Sequence, residues 1–149
     1  MSATLRLATT RDIEVLFDIR TSVEQNHLSR EQMAELGITA AVLAEAIGEA
    51  PCAWIAECQG QAVGFVMVDH GQGEVFALFV RPRHEGKGVG KSLLQQAEAA
   101  LFQHHEVIHL TTDGAQGIRA NGFYRHLGWV CTGAVDARDV RYEKQRMTG

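Results

Sequence analysis

Residues Leu78–Leu94 read LFVRPRHEGKGVGKSLL, and this stretch decides the fold. An apolar run ending at Val80 is followed by Pro82, which ends strand pairing, and then by a helical apolar pattern. Between them lies a glycine loop, in which three glycines alternate with larger residues: Gly86, Gly88 and Gly90. Glycines let a backbone turn its N–H groups toward an anion, and the N-terminus of a helix attracts phosphate. Four basic residues add positive charge there: Arg81, Arg83, Lys87 and Lys91.

Two other nucleotide-binding motifs fit this glycine loop less well. A P-loop needs Gly-x-x-x-x-Gly-Lys-Ser/Thr, and counting back from Gly90 places Glu85 where its first glycine should stand. The dinucleotide fingerprint Gly-x-Gly-x-x-Gly fails because Lys91 follows Gly86 and Gly88 at the last glycine position. A small nucleoside triphosphatase therefore stays open as a weaker alternative.

Composition bounds the class of protein. The 149 residues suit a single domain, 1–149, and the net charge of −4 gives no reason to expect nucleic acid or an anionic membrane as partner. No apolar run approaches the roughly 20 residues of a membrane helix, and the N-terminus lacks the apolar segment of a secretory signal. We therefore expect a cytoplasmic protein.

The cysteines and histidines do not predict a metal site. Cys52, Cys58 and Cys131 show neither disulfide nor zinc-ligand spacing, so we expect reduced thiols. We interpret the one histidine cluster, His104 and His105 with His109 nearby, as the solvated end of a helix. No metal is expected.

Hydrophobic periodicity predicts a mixed α/β fold. Short turns join the second to fourth strands, so these should form an antiparallel meander. The C-terminal strand is a candidate edge for pairing in a homodimer. Thr10, Ser29 and Thr39 should cap the first three helices. The predicted strands are Leu5–Thr9, Cys52–Cys58, Ala62–Asp69, Glu74–Val80, Val107–Asp113, Trp129–Val135 and Val140–Met147. The helices after the first are Arg30–Leu36, Ala40–Ile47, Gly88–His104 and Gly117–Gly128.

Two motifs resemble the GCN5-related N-acetyltransferase (GNAT) family. Leu78–Leu94 is similar to its acetyl-CoA motif Arg/Gln-x-x-Gly-x-Gly/Ala, with Gly88 and Gly90 at the two small positions. Arg119–Trp129, RANGFYRHLGW, is similar to the second motif, in which Ala-x-x-Phe-Tyr leads to Gly-Phe/Trp. The resemblance implies a single-domain α/β (α+β) fold. Its mostly antiparallel sheet would have six to seven strands and about four flanking helices.

The resemblance also implies where acetyl-CoA binds. Strands Glu74–Val80 and Val107–Asp113 would form a splayed parallel pair, with the pantetheine arm in the gap. Two residues depart from the motifs: Glu85 stands where Arg or Gln is usual, and Gly117 where many members carry Asn. The implied cofactor-binding residues are Leu78, Phe79, Val80, Glu85, Gly86, Lys87, Gly88, Val89, Gly90, Lys91, Gly117 and Tyr124.

Acetyl transfer to an amine needs a base, an oxyanion donor and a proton for the leaving thiolate. The resemblance assigns the base to Glu74, which lines up with the glutamate of histone-acetylating members; Asp113 or a water chain are alternatives. It assigns the oxyanion donor to the N–H of Leu78 and the general acid to Tyr124.

The implied activity is transfer of an acetyl group to a primary amine by direct attack within a ternary complex, with neither metal nor covalent enzyme intermediate. An acyl-CoA-binding sensor with weak or no catalysis is the alternative, favoured by Glu85 and Gly117. The acceptor is open and could be a small molecule or a peptide. Arg20, Asn26 and His27 could face it, or could serve as surface or capping residues.

Overall fold

A computed structural model describes residues 3–23, 28–114 and 119–147 of the chain. Gly117, Asn26 and His27 lie outside the described residues, as does the side chain of Asp113. None of the helices in the described ranges has the length and apolar character of a membrane span. The elements in chain order are β1 (Thr4–Leu7), α1 (Ile13–Ser22), α2 (Arg30–Glu35), α3 (Ala40–Glu49), β2 (Ala53–Cys58), β3 (Gln61–Asp69), β4 (Glu74–Val80), α4 (Val89–Leu101), β5 (Val107–Asp113), α5 (Arg119–His126), β6 (Val130–Ala134) and β7 (Asp139–Gln145).

The predicted mixed α/β fold, with a mostly antiparallel sheet and one parallel pair, is confirmed. The described ranges contain five α-helices, as periodicity predicts, with α2 and α3 separate before β2; the resemblance implied about four. Contacts divide the chain into two compact units. The first comprises Met1–Met67 and Ala77–Gln96, and the second Val68–Phe76 and Ala97–Gly149. Strands β3 and β4 and helix α4 have residues in both.

The first unit contains the predicted antiparallel meander. β2 pairs with β1 on one side and with β3 on the other. The β2–β3 hairpin closes at the pair Cys58 and Gln61, and both turn residues take the left-handed conformation, with φ of 53° at Gln59 and 78° at Gly60. Positive φ at both central residues is the two-residue turn that matches strand twist. The Gly-containing turn thus predicts the hairpin correctly.

The second unit contains the parallel pair and the C-terminal hairpin. β4 and β5 run parallel and are in register at Glu74 and His109, while β7 pairs antiparallel with both β5 and β6. The strand order is β1-β2-β3-β4-β5-β7-β6. The prediction that the C-terminal strand is an edge is therefore wrong: β6 is the edge. The hairpin after β6 returns the chain between two strands, and this order is not encoded in periodicity.

Side-chain caps fix where the first helices begin. Thr9, not Thr10, starts the turn that leads into α1: its N–H donates to Asp12 Oδ2 at 2.8 Å, and its Oγ1 accepts from the N–H of Arg11. The predicted capping box of Ser29 before α2 is confirmed by a 2.8 Å bond from its N–H to Gln32 Oε1 and the reciprocal bond to its Oγ. The aspartate three residues after Thr9 explains why that threonine is the cap.

Gly64 in β3 permits a close approach of strand and helix within the first unit. A Cβ there would lie 3.0 Å from the carbonyl oxygen of Phe79, 3.1 Å from Leu93 Cδ1 and 3.3 Å from Val80 Cγ2. Leu93 is fully buried, so α4 packs on the sheet through this contact. The packing fixes both ends of the glycine loop between β4 and α4.

Candidate active site

The glycine loop leaves β4 through a short 3-10 turn, Pro82–His84, and enters α4 at Val89. Gly86 has φ of 75° and Gly88 has φ of 84°, so both occupy the left-handed region that side chains disfavour. The prediction that these glycines turn the backbone is thus supported at two positions. Gly90 differs, because it lies in the first turn of α4 with ordinary helical geometry.

The start of α4 offers N–H groups to an anion. The N–H of Ser92 bonds to the carbonyl of Gly88 at 3.1 Å, which makes this the first intrahelical bond of the helix. Helix geometry leaves the preceding N–H groups, at Val89, Gly90 and Lys91, without intrahelical acceptors. The partial positive charge of these groups is the physical basis of anion binding at a helix N-terminus.

The basic residues around the loop divide into two sets. Lys87 and Lys91 are exposed, as is Arg83, so their charges are accessible beside the loop. The charge of Arg81 is not accessible in this way, because its guanidinium is engaged elsewhere. Its Nε donates to the carbonyl of Ala62 and its Nη2 to Asp18 Oδ2, both at 2.9 Å. The suggestion that Arg81 adds charge for the anion is therefore not supported.

Glu85 and the end of β4 complete the loop region of the first unit. The Glu85 side chain is exposed, and its N–H makes a long bond, 3.4 Å, to the carbonyl of Pro82. Leu78, Phe79 and Val80 are half-buried, and the Phe79 ring lies 5.9 Å from that of Phe65. An exposed carboxylate can point away from an anion held by the loop.

Glu74 begins β4 within the second unit and faces His109. The two residues form the parallel register pair, and Glu74 Oε2 lies 3.9 Å from His109 Nε2. The Glu74 side chain is 27% exposed. Burial raises the pKa of this carboxyl above its ordinary value, with the Asp69 charge acting in the same direction and His109 and Arg141 opposing it. A carboxylate with a raised pKa is a better base near neutral pH.

Tyr124, on α5, lies in an aromatic cluster that also belongs to the second unit. Its side chain is 7% exposed, and its ring centroid is 5.3 Å from Phe123, 6.1 Å from Trp129 and 5.8 Å from Tyr142. Burial raises the pKa of the Tyr124 phenol above its ordinary value, and the nearby Tyr142 adds to the effect. The phenol therefore stays protonated at neutral pH and can donate a hydrogen bond.

Polar contacts hold the helix that carries Tyr124. The Tyr142 hydroxyl donates to Asn121 Oδ1 at 2.9 Å and accepts from Arg125 Nε at 3.1 Å. The N–H of Trp129 bonds to the carbonyl of Tyr124 at 3.0 Å, and the Trp129 indole donates to Glu98 Oε2 at 3.1 Å. The spacing of Tyr124 and Trp129 thus has a local packing reason, since the tryptophan covers the tyrosine.

Comparison with known proteins identifies the family. The family model described as "Acetyltransferase (GNAT) family" matches residues 13–129. The peptidyl-lysine N-acetyltransferase YjaB of Salmonella typhimurium is 33% identical over 126 residues, which cover 81% of this chain and 78% of that protein. The chain therefore belongs to the GNAT family of acetyltransferases and is an acyltransferase by family membership.

Two further comparisons bear on coverage and fold. An uncharacterised N-acetyltransferase of Archaeoglobus fulgidus is 38% identical over 80 residues, and this match spans 47% of the chain and 54% of the archaeal protein. The crystal structure of the PaiA N-acetyltransferase of Thermoplasma acidophilum, in complex with coenzyme A, superimposes with a TM-score of 0.79 at 20% identity, covering 98% of this chain and all of that one. This likeness supports the fold.

Two features of the histidines escaped sequence reasoning. His109 lies in β5 opposite Glu74 rather than at a solvated helix end, and only the parallel register reveals the pairing. His105 Nε2 lies 2.6 Å from the carbonyl oxygen of His70, and its ring would contact a Cβ at Gly73. Reading these histidines as a solvated cluster is therefore wrong for both.

Proposed function

We propose that the chain is an acetyl-CoA-dependent N-acetyltransferase that acts on a primary amine by direct attack within a ternary complex. The observation that carries the proposal is the strand–loop–helix unit of β4 and α4, with left-handed Gly86 and Gly88 at the start of the helix. That geometry suits a pyrophosphate, and membership of the family makes acetyl-CoA the expected source of it.

The coenzyme-binding role rests on backbone groups. The N–H groups of the loop and first helical turn, from Gly86 to Lys91, would bind the pyrophosphate, with the Lys87 and Lys91 side chains adding charge. The backbone of β4 from Leu78 to Val80 would hydrogen-bond the amides of the pantetheine arm. Glu85, whose side chain is exposed, would point its carboxylate away from the pyrophosphate. Gly117 would contribute no side-chain contact.

Replacing Gly88 by Ala is expected to raise the Kd for acetyl-CoA about tenfold, because a left-handed conformation costs an alanine about 1–2 kcal/mol and the loop would relax away from it. The measurement is acetyl-CoA binding by calorimetry. Gly60→Ala is the matched control, since Gly60 has φ of 78° against 84° at Gly88, and a Cβ at either position has no neighbour within 4 Å. Equal loss of affinity in both variants would contradict the assignment of the loop.

The chemical step uses three groups of the chain. Glu74 would accept the proton of the attacking amine, directly or through water, since an amine with pKa about 10.4 is mostly protonated at neutral pH. The amine nitrogen then bonds to the thioester carbon, and the N–H of Leu78 would stabilise the negative charge on its oxygen. The carbon–sulfur bond breaks, the thiolate leaves, and the nitrogen gives up its remaining extra proton to water, which yields the neutral amide.

Tyr124 would donate to the leaving thiolate. Its raised pKa makes full proton transfer to the thiolate, whose conjugate acid has an ordinary pKa of about 8.5, more uphill than for an exposed tyrosine, so hydrogen bonding is the main contribution. Because the same shift keeps the phenol protonated, the donor is present over the whole neutral range. The final proton of the thiol can then come from water.

The acceptor is a primary amine in this proposal, and its setting is the cytoplasm. The three cysteines of the chain, Cys52, Cys58 and Cys131, form no disulfide in the described residues, which supports a reducing compartment. The Salmonella relative is named a peptidyl-lysine N-acetyltransferase, so lysine-containing peptides belong in the first acceptor panel beside small amines.

A thiol-release assay separates this function from its alternatives. We expect acetyl-CoA to stabilise the protein against heat, and release of thiol to rise on adding at least one amine of the panel. Stabilisation without release for any amine would favour a sensor of acyl-CoA. Stabilisation by ATP–Mg²⁺ and none by acetyl-CoA would favour a nucleoside triphosphatase and overturn the proposal.

A further inference from the structure

Arg20 lies in the last turn of α1, buried to 9% exposure, and it forms no ion pair within residues 3–23, 28–114 and 119–147. Its Nη1 is fully buried and has no hydrogen-bond acceptor among the described residues. The guanidinium carbon lies 4.1 Å from the centroid of the Phe79 ring on β4, within the same unit. Burial lowers the pKa of the guanidinium, and among the described residues no carboxylate opposes that shift.

Three other arginines of this unit bond to carboxylates. Arg30 also stacks on a phenylalanine, with its guanidinium carbon 4.3 Å from the Phe17 ring, but it bonds to both carboxylate oxygens of Glu14 at 2.5 and 2.9 Å. Arg6 and Arg81 bond to Asp12 and Asp18 respectively. These three arginines are more exposed than Arg20 and have carboxylate partners, whereas Arg20 has none in the described part of the chain.

A buried charge without a partner is costly, because desolvation is not repaid by pairing. Arg20 cannot escape the cost by losing its proton, since arginine stays protonated in proteins. The position of a cation in the last turn of a helix is favourable, but it leaves Nη1 without an acceptor. An anion from outside the chain would supply the missing acceptor.

We propose that Arg20 binds a carboxylate of the acetyl acceptor, so that the preferred acceptors are amines that also carry a carboxylate. This inference rests on the proposed acetyl transfer. The free nitrogen at one end of a stacked guanidinium suits a single carboxylate. The coenzyme phosphates have a separate donor set in the glycine loop. With a net charge of −4, the chain needs a local cation to hold an anionic acceptor.

The first test needs no acetyl-CoA. Thermal unfolding is measured with sodium acetate and with sodium chloride at equal ionic strength, for wild type, Arg20→Met and Arg30→Met. Ligand that binds the folded state raises Tm. We expect acetate to raise Tm more than chloride does in wild type and in Arg30→Met. In Arg20→Met, we expect the two salts to change Tm by the same amount. Equal effects of both salts in wild type would overturn carboxylate binding at Arg20.

The second test compares amino acids with their decarboxylated amines. Lysine and cadaverine, and ornithine and putrescine, share a side-chain amine and differ in the carboxylate. We expect kcat/KM to favour the amino acid about 10- to 100-fold in wild type, mainly through acceptor KM, and the two to become nearly equal in Arg20→Met. A peptide with Asp beside the acceptor lysine, against the Asn peptide, shows whether the carboxylate comes from a free amino acid or a peptide.

The outcomes separate this inference from the proposed function. In one outcome, Arg20→Met still releases thiol from acetyl-CoA and still prefers amino acids over their decarboxylated amines. This result would overturn the role of Arg20 and leave acetyl transfer intact. A water bound to Nη1 would give this result. A raised KM for acetyl-CoA alone in Arg20→Met would move Arg20 to the coenzyme and also overturn it. If no amine causes release, the proposed function fails, while the acetate titration still decides anion binding. Arg20→Lys serves if Arg20→Met does not fold, and a smaller loss of preference is expected.

Discussion

Replacing Tyr124 by Phe is expected to lower kcat about 100-fold and to leave the Kd for acetyl-CoA nearly unchanged. The hydroxyl is the only group that the change removes, and the ring keeps its contacts with Trp129 and Tyr142. Steady-state kinetics with a saturating acceptor, together with calorimetry for acetyl-CoA, measures both quantities. Because the pKa of Tyr124 is raised, wild-type kcat should show no loss from its ionisation below about pH 10.

Tyr142→Phe is the matched control for this change. It removes the hydroxyl of a second tyrosine in the same aromatic cluster. That hydroxyl is already bonded to Asn121 and Arg125. We expect the free energy of unfolding to fall by about 1–3 kcal/mol and kcat to stay within about twofold of wild type. Wild-type turnover in Tyr124→Phe, or an equal loss in both variants, would remove Tyr124 from the chemical step.

Replacing Glu74 by Gln is expected to lower kcat/KM for the acceptor about 100-fold near neutral pH and to change its pH dependence. In the wild type, activity should rise with pH through the raised pKa of Glu74, because only the carboxylate accepts a proton. The variant should lose that limb and keep only the rise that follows deprotonation of the amine itself. A pH series of kcat/KM for both proteins makes the comparison.

His109→Gln tests independently the direction in which the pKa of Glu74 shifts the pH profile. His109 lowers the pKa of Glu74, so its removal should move the acidic limb of the wild-type profile to higher pH. Glu106→Gln is the matched control, because the Glu106 side chain is 86% exposed. We expect this variant to keep the wild-type pH profile. An unchanged acidic limb in Glu74→Gln would instead favour a water chain or another base.

The same pKa shift has a consequence for stability. The folded-state pKa of Glu74 lies above the unfolded value, so the folded protein binds the proton more tightly. The stabilising contribution is complete below the unfolded pKa and is lost as pH rises through the folded pKa. The carboxylate thus costs stability at neutral pH, and Glu74→Gln should unfold at a slightly higher temperature than wild type there.

The sequence was sufficient where local chemistry decides structure. The Glu74–Val80 and Val107–Asp113 strands were predicted with the bounds that the structure has, because apolar runs between turns mark them clearly. The glycine loop was predictable for a similar reason, since Gly86 and Gly88 need positive φ that few other residues tolerate. Both of these features depend on residues close together in the chain.

Features that depend on distant residues could not be predicted. The insertion of β7 between β5 and β6 follows from pairing across the sheet, and the engagement of Arg81 depends on Asp18, far away in sequence. That Arg20 Nη1 has no acceptor in the described part of the chain is a property of its surroundings, whereas a sequence shows only that an arginine is present. Such effects arise from tertiary contacts, which a periodic pattern does not specify.

The most direct test of acetyl transfer is one quenched reaction in which released thiol, acetylated amine and the intact mass of the protein are all measured. Acetyl-CoA is mixed with the amine that gives the fastest thiol release, and with no amine as the blank. The expected result is an equal amount of thiol and acetylated amine, with no change in protein mass in either mixture. Thiol release without acetylated amine, or a protein that gains one acetyl group before the amine is added, would contradict direct transfer to the acceptor.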